Sequence, residues 1–315
     1  MKARIWLAML AVYIAWGSTY LAIRVAIETI PPFLMAGTRF AIAGLILYAW
    51  RLAAGDARPS RLEWRSAAIV GLLMLVGGNG MVVWAEQWVS SGIAALIVGS
   101  APLMMALIDA LRPGGSPYGG RRKPGWLASI GLLVGFGGIV LLVGPIGAEG
   151  DPLDLNVAGV VALLLASFLW AAGSLYNREA QLPKSPLLGT GMEMLAGSAG
   201  LFLLGTLTGE WGHLELGAIS LRSLAGLAYL VVGGALIGFV AYTWLLRVAP
   251  TPLVATYAYV NPLIAILIGN LLLQEPLTPR VLISALLILS AVALTNMERA
   301  RAPKRPLMVP AHGND

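Results

Sequence analysis

The sequence predicts an all-α integral membrane protein of ten transmembrane helices, built as two inverted five-helix repeats, and three observations predict it. Hydrophobic residues make up 58% of the 315 and charged residues only 11%, with a mean hydropathy of +0.81. That composition leaves too little polar surface to cover a water-soluble globule. The charges gather in clusters, and between them lie continuously apolar runs of about the ~20 residues that a helix needs to cross ~30 Å of hydrocarbon. Barrel strands are half as long and alternate in polarity, so these runs select helices. The third observation is a weak internal repeat, developed below.

Each run is framed by its charges. The first, 5–27, follows Lys2 and Arg4, and the second, 33–53, ends at Arg51. The third, 67–88, follows Arg58, Arg61 and Arg65, and the fourth, 91–111, ends before Arg112. The fifth, 125–144, follows Arg121, Arg122 and Lys123, and the sixth, 156–178, ends at Arg178. The seventh, 187–207, follows Lys184, and the eighth, 220–246, ends before Arg247. The ninth covers 252–272, and the tenth, 278–297, precedes Arg299, Arg301, Lys304 and Arg305. All of these cations fall on one side when the spans alternate in direction, and the other side holds only Arg24, Arg222 and Arg280. The loop "GPIGAEGDPLDLN" on that second side has acids and no cation. By the positive-inside rule both termini are expected in the cytoplasm of a multi-pass protein of the bacterial inner membrane.

The net charge of +6 follows from this topology and from anionic headgroups, so a lipid bilayer is the expected partner and nucleic acid is not. The first run is too long for a cleavable signal and reads as an uncleaved signal anchor. Cysteine is absent, which removes disulfides, thiolate metal sites and cysteine nucleophiles together. His213 and His312 lie outside the spans, so neither a metal site nor a cofactor is expected. The end of the chain, "RARAPKRPLMVPAHGND", reads as a basic disordered cytoplasmic tail.

Sliding the chain on itself by about 154 positions sets Trp16 on Trp170, Arg24 on Arg178, Gly37 on Gly191 and Arg39 on Glu193. A shift of about 160 sets Gly78 on Gly238, Trp84 on Trp244 and Pro102 on Pro262. The matches keep their order and fall at the same helix numbers, which divides the chain into 1–147, 152–298 and a tail, 299–315. An odd number of spans per half makes the second half enter the membrane from the opposite side, the plan of many secondary transporters.

Within that plan the polar interruptions of apolar runs become candidate site residues. Pro102 and Pro262 lie near the centres of the fourth and ninth runs, where each deprives a carbonyl one turn back of its donor and marks a helix break. Tyr257 and Asn261 are four apart and share a face; Asn261 serves either a solute or an interhelical hydrogen bond. Asn79 lies among glycines in the third run. Trp16 and Tyr20 share a face of "WGSTYLAIR", and Trp170 and Ser174 repeat the theme in "LWAAGSLYNR". Trp84 belongs either to the interfacial belt, with Trp88, or to the cavity mouth. Stacked aromatics beside an aqueous cleft suit amphipathic solutes, ordinary packing being the alternative for each.

Charges inside the spans must be paired or wet. Arg39 and Glu193 differ in depth by roughly 10 Å at 1.5 Å per residue, which rules against a direct bridge. Glu28 or Glu86 is the expected partner for Arg39, and Arg178, Lys184 or Arg247 for Glu193, as gates or as static pairs. No acid or histidine accompanies Tyr257 and Asn261, so movement down a gradient is expected over strict proton coupling. There is no Walker-type loop, and no nucleophile with a base, so ATP-driven transport by this chain and enzymatic activity are not expected. Glycine-spaced faces, Gly131 with Gly135 and Gly205 with Gly209, permit close helix contact within a protomer or between two, and leave the oligomeric state open.

The runs "WGSTYLAIRVAIETIPPFLMAGTRFAIAGLILY" and "NPLIAILIGNLLLQEPLTPRVLISALLI" resemble the signatures of EamA-type permeases of the drug/metabolite transporter superfamily. The resemblance extends from about residue 5 to 297 and implies export of amino acids or related metabolites. It also implies that the first, third, fourth, sixth, eighth and ninth helices enclose a cavity, which adds Tyr242 to the candidates. Glu275 matches the family's acidic position after the ninth helix. The first half departs from the pattern, with "LRPGGSPYGGRRK" where a second acid is common, so a mechanism that needs a symmetric acid pair is in doubt. The alternative on the same scaffold is a channel or a non-transporting membrane partner.

Overall fold

In the computed structural model, which describes residues 2–111, 125–144, 153, 155–249, 251–254 and 256–301, every regular element among the described residues is helical. The loop at 112–124, most of the acidic loop before 153 and the tail from 302, with His312, lie outside the described residues. Among the described residues nine helices are long and apolar enough to span a membrane: α1 (Lys2–Ala26), α2 (Pro32–Ala53), α3 (Arg61–Ala85), α4 (Ser91–Ile108), α5 (Trp126–Val143), α6 (Val157–Asn177), α7 (Pro186–Leu207), α8 (Leu221–Leu245) and α10 (Pro279–Met297). The ninth apolar run forms a shorter helix, α9 (Tyr257–Leu273). Large apolar side chains such as Leu7, Leu45, Leu133, Leu207 and Leu286 face outward, as an apolar solvent permits.

Helix starts follow local chemistry. Ser60 and Glu63 form a reciprocal capping box at the start of α3, with bonds of 3.3 and 2.7 Å. Asn156 caps α6 through Gly159 N at 3.0 Å, and Ser220 caps α8 through Ser223 N at 3.0 Å. Two other starts borrow a carboxylate from the opposite half of the chain. Glu210 accepts from Phe33 N (3.1 Å) and Leu34 N (2.9 Å) at the start of α2. Glu275 accepts from Ser91 N (2.7 Å) and Gly92 N (3.0 Å) at the start of α4. A negative group there answers the unpaired N–H groups and positive end of the helix.

The halves are interleaved. The most extensive helix contacts pair α2 with α7 and α5 with α10, while α1, α3, α4, α6, α8 and α9 pack against one another in between. Small residues make the approach possible: a Cβ on Gly37 would sit 2.9 Å from the Phe202 ring, and one on Gly191 2.9 Å from Tyr48 N. Gly37 and Gly191 are repeat mates, and Tyr48 and Phe202 are too at the same shift, so the contact is made twice with the halves exchanged. Gly131 and Gly135 face Ala291 of α10 within the same chain. Gly205 meets Leu34, whereas Gly209 does not extend that face: it leaves the helix at φ 75°.

Five of the inner helices are irregular, α1 by an interruption at Ser18. α3 and α8 contain π-helical stretches, Leu72–Gly80 and Leu230–Ile237, at matching places in the two halves. α4 is interrupted at Gly99 and Ser100, just before Pro102. The ninth run departs from expectation: its break lies at Thr256, after a short turn Thr251–Val254, and Pro262 sits inside α9 without ending it. Pro262 therefore withholds an N–H from the Ala258 carbonyl without ending the helix.

Candidate functional site

Where the inner helices meet they leave a cavity of ≈ 170 Å³. Both prolines line it, and so do Val98 and Ala258, the residues four positions before them. A proline has no N–H, so each of these two carbonyls lacks its ordinary helical donor at the cavity wall. The broken α4 and the proline-bearing α9 therefore bring residues whose carbonyls lack that donor to the wall at matching positions.

The wall itself is mainly apolar and aromatic. Trp16, Tyr20, Asn79, Trp170, Tyr257 and Asn261 all line it, brought from α1, α3, α6 and α9. Trp16 is fixed in place: Nε1 donates to Gly234 O at 3.0 Å, and the ring lies 5.3 Å from Phe239, 5.0 Å from Tyr242 and 5.2 Å from Tyr257. Beneath this cluster the Tyr13 hydroxyl hydrogen-bonds the Thr256 hydroxyl, tying α1 to the turn before α9. The tryptophans use glycines of the opposite half: a Cβ on Gly238 would lie 2.4 Å from Trp16 Nε1, and one on Gly78 3.0 Å from Trp170 Cε3. Trp16 with Trp170, and Gly78 with Gly238, are the pairs the internal repeat matched.

Three candidates are not on the wall. Trp84 packs edge-on to Trp88 at 4.6 Å, and Tyr242 stands behind Trp16 and Tyr257, 5.6 Å from the latter ring. Both follow a π-helical stretch in their helix, and its wider turn rotates everything after it relative to a regular α pitch. Ser174 lies one turn beyond Trp170, outside the wall.

The charged candidates are distributed differently from the pairs expected. Arg39 is 3% exposed and lines the cavity, with Nε and Nη1 lacking hydrogen-bond partners. Glu86 is fully buried and neither of its carboxylate oxygens has a hydrogen-bond partner; its backbone carbonyl accepts from Arg24. The two residues are within electrostatic reach of each other without forming a bonded pair. Glu28 instead faces Arg222 at 3.4 Å. Glu193 accepts from Asn177 Nδ2 at 2.9 Å, and Arg178, just past α6, lies within electrostatic reach of Tyr242 and Tyr257. Asn79 Oδ1 and Asn261 Oδ1 are buried at the wall with no donor.

Sequence reasoning missed Arg39 as a wall residue. Depth along a helix says nothing of azimuth; the room for Arg39 comes from Gly234 of the opposite half, where a Cβ would meet Arg39 Nη2 at 2.9 Å and Thr19 Oγ1 at 3.1 Å.

A helical bundle with a partly polar cavity at the meeting point of its two halves defines a multi-pass membrane transporter. The chain belongs to the EamA-like transporter family, whose model matches it twice, over residues 3–144 and 157–297. The inner membrane transporter YedA of Escherichia coli (strain K12) is 37% identical to it over 306 residues, covering 96% of this chain and 94% of that one. The transporter YvbV of Bacillus subtilis (strain 168) is 26% identical over 295 residues, covering 94% and 92%. A crystal structure superposes on 94% of this chain and 98% of its own with a TM-score of 0.62 at 21% identity, which is a likeness of fold.

Proposed function

We propose that the chain is a secondary permease that exports amino acids or related amphipathic metabolites across the inner membrane by alternating access. One observation carries this reading: Asn79 and Asn261, whose side-chain oxygens are buried with no donor, line a cavity walled mainly by aromatic and aliphatic side chains at the junction of the two halves. Such a site binds a solute with one polar and one apolar end. The twice-made contacts, Gly37 on Phe202 with Gly191 on Tyr48 and Trp16 on Gly238 with Trp170 on Gly78, support an inverted relation between repeats at 1–147 and 152–298. Rocking one repeat against the other would then expose the cavity to each side in turn, with both termini in the cytoplasm. In this reading Glu86 would act at one exit and Glu193 and Arg178 at the other, as charges that close each in turn.

Counterflow in proteoliposomes with a panel of labelled amino acids tests the proposal. A permease gives saturable, competable exchange that Asn261→Ala and Tyr257→Ala reduce sharply with the fold intact. Unsaturable flux would identify a channel, and normal exchange by both variants would place the site elsewhere.

A further inference from the structure

Among the described residues lining the cavity, Arg39 is the one charged side chain, and no carboxylate shares the wall with it. An arginine that is 97% withdrawn from solvent by its 3% exposure normally spends its fork on a carboxylate or on carbonyls. Here Nε and Nη1 have no partner, and Nη2 is packed toward Gly234 of α8. The neighbouring ring of Phe40, 4.8 Å from the guanidinium carbon, covers one face of the fork without using its N–H groups. Glu86 lies within electrostatic reach of Arg39, yet its own oxygens are equally unbonded, so the two do not close on each other.

An ionised guanidinium with two unpaired donors at the wall of a water-sized to solute-sized space is an incomplete hydrogen-bond network. It is completed by an anion such as a carboxylate, whose oxygens accept charge-assisted bonds from the unpaired N–H groups. The opposite requirement appears elsewhere on the wall: Asn79 Oδ1 and Asn261 Oδ1 want donors, and the carbonyls of Val98 and Ala258 lack their helical ones. Donors at one place and acceptors at others match a solute with a carboxylate and an N–H-bearing group, its apolar remainder lying against Trp16 and Trp170.

We propose that Arg39 is the anchor for the carboxylate of the transported solute, which makes the carboxylate, rather than an amine, the group this permease requires. The proposal rests on the permease reading of the same cavity. It also moves Arg39 from a gate to the binding surface, and it predicts exclusion of purely cationic solutes, for which the wall has no counter-charge.

The test uses three probes that share a phenyl ring and differ in their polar end: 3-phenylpropionate, phenethylamine and phenylalanine. Binding to the purified full chain in lipid nanodiscs is read as ligand-dependent thermal stabilisation, which needs no transport. The expected order is phenylalanine, then 3-phenylpropionate, with phenethylamine weaker than either by roughly tenfold or more, the scale of a lost charge-assisted bond. Arg39→Gln is expected to abolish the difference between 3-phenylpropionate and phenethylamine, and Arg39→Lys to keep its sign at reduced size. Equal stabilisation of the wild type by phenethylamine and 3-phenylpropionate overturns the assignment without any variant, which matters if Arg39→Gln does not fold. So does stabilisation by neither carboxylate probe. Carboxylate-selective binding with no counterflow of any panel solute would instead retain Arg39 as the anchor and defeat the permease reading.

Discussion

Gly238→Ala is a sharp perturbation of the cavity that removes no polar group from the chain. The added Cβ would lie 2.4 Å from Trp16 Nε1 and 2.8 Å from Cδ1, whereas ordinary contact begins at 3.4 Å, so the indole must retreat by about 1 Å. It has nowhere easy to go, because Phe239, Tyr242 and Tyr257 hold the ring at 5.0–5.3 Å and Nε1 is bonded to Gly234 O. Overpacking of this kind costs about 1–3 kcal/mol, and the lost indole bond about 1 more. Replacing a helical glycine by alanine returns about 0.5–1 kcal/mol, so the net destabilisation is about 1–3 kcal/mol. The repeat mate supplies an internal control: at Gly78 the nearest atom is Trp170 Cε3 at 3.0 Å, a ring edge that has to yield only a few tenths of an ångström. Gly78→Ala is therefore expected within about 0.5 kcal/mol of wild type, since helix propensity offsets the smaller clash. Unfolding in mixed micelles measures the stability, and counterflow in proteoliposomes the function, with Gly238→Ala losing roughly tenfold in exchange as Trp16 leaves the wall. Equal behaviour of the two alanine variants, or wild-type exchange by Gly238→Ala, would refute the claim that Trp16 is held rigidly against the opposite half.

Glu275→Ala should destabilise by about 1–2 kcal/mol, since it uncaps two N–H groups at the start of α4, and Glu210→Ala should do the same for α2; thermal unfolding in detergent checks both. Pro262→Ala restores a donor to the Ala258 carbonyl, so exchange should fall while stability is unchanged or higher, read by counterflow and unfolding together. Asn261→Cys, in a chain with no cysteine of its own, should react with a small aqueous maleimide, and complete protection under every condition would close the cavity to water. Asp56 lies beyond α2 and is held below the usual carboxylate range by its bond from Arg51 and then by Ser185. Because its folded pKa is depressed, its stabilisation is present above the ordinary carboxylate pKa and is lost as pH falls through the lower, folded value; a small drop in melting temperature at acid pH, absent in Asp56→Asn, is the expected signature.

What the sequence makes legible divides along a physical line. Apolar length sets the spans, because the bilayer imposes it, and ten runs are recovered with only α9 shortened. Spacing of four puts Tyr257 with Asn261 on the cavity side, because they share one helix, and Trp16 with Tyr20 as well, although the helix is interrupted at Ser18 between them. Trp84, for which the sequence leaves the interfacial belt and the cavity mouth open, and Tyr242, which the family resemblance suggests, both follow stretches where the backbone bonds skip to i+5 and the pitch is no longer regular. Nothing in "LLMLVGGNG" announces that wider turn beyond its glycines. The placement of Arg39 and the capping roles of Glu210 and Glu275 were hidden for another reason: each depends on which helix of the other half lies alongside, and that is a property of assembly rather than of any local stretch.

The interleaving of the halves has a consequence for biosynthesis. Gly37 of α2 meets Phe202 of α7, 165 positions later in the chain, and at about 5–20 residues per second a ribosome needs on the order of ten to thirty seconds to supply that partner. During that interval the newly inserted amino-terminal segment has its glycine-lined groove open to lipid, with no mate for it. An insertase or quality-control protease that surveys nascent membrane chains therefore meets this protein first as a half-finished object, and mutations confined to α7 would be felt as the early degradation of α2.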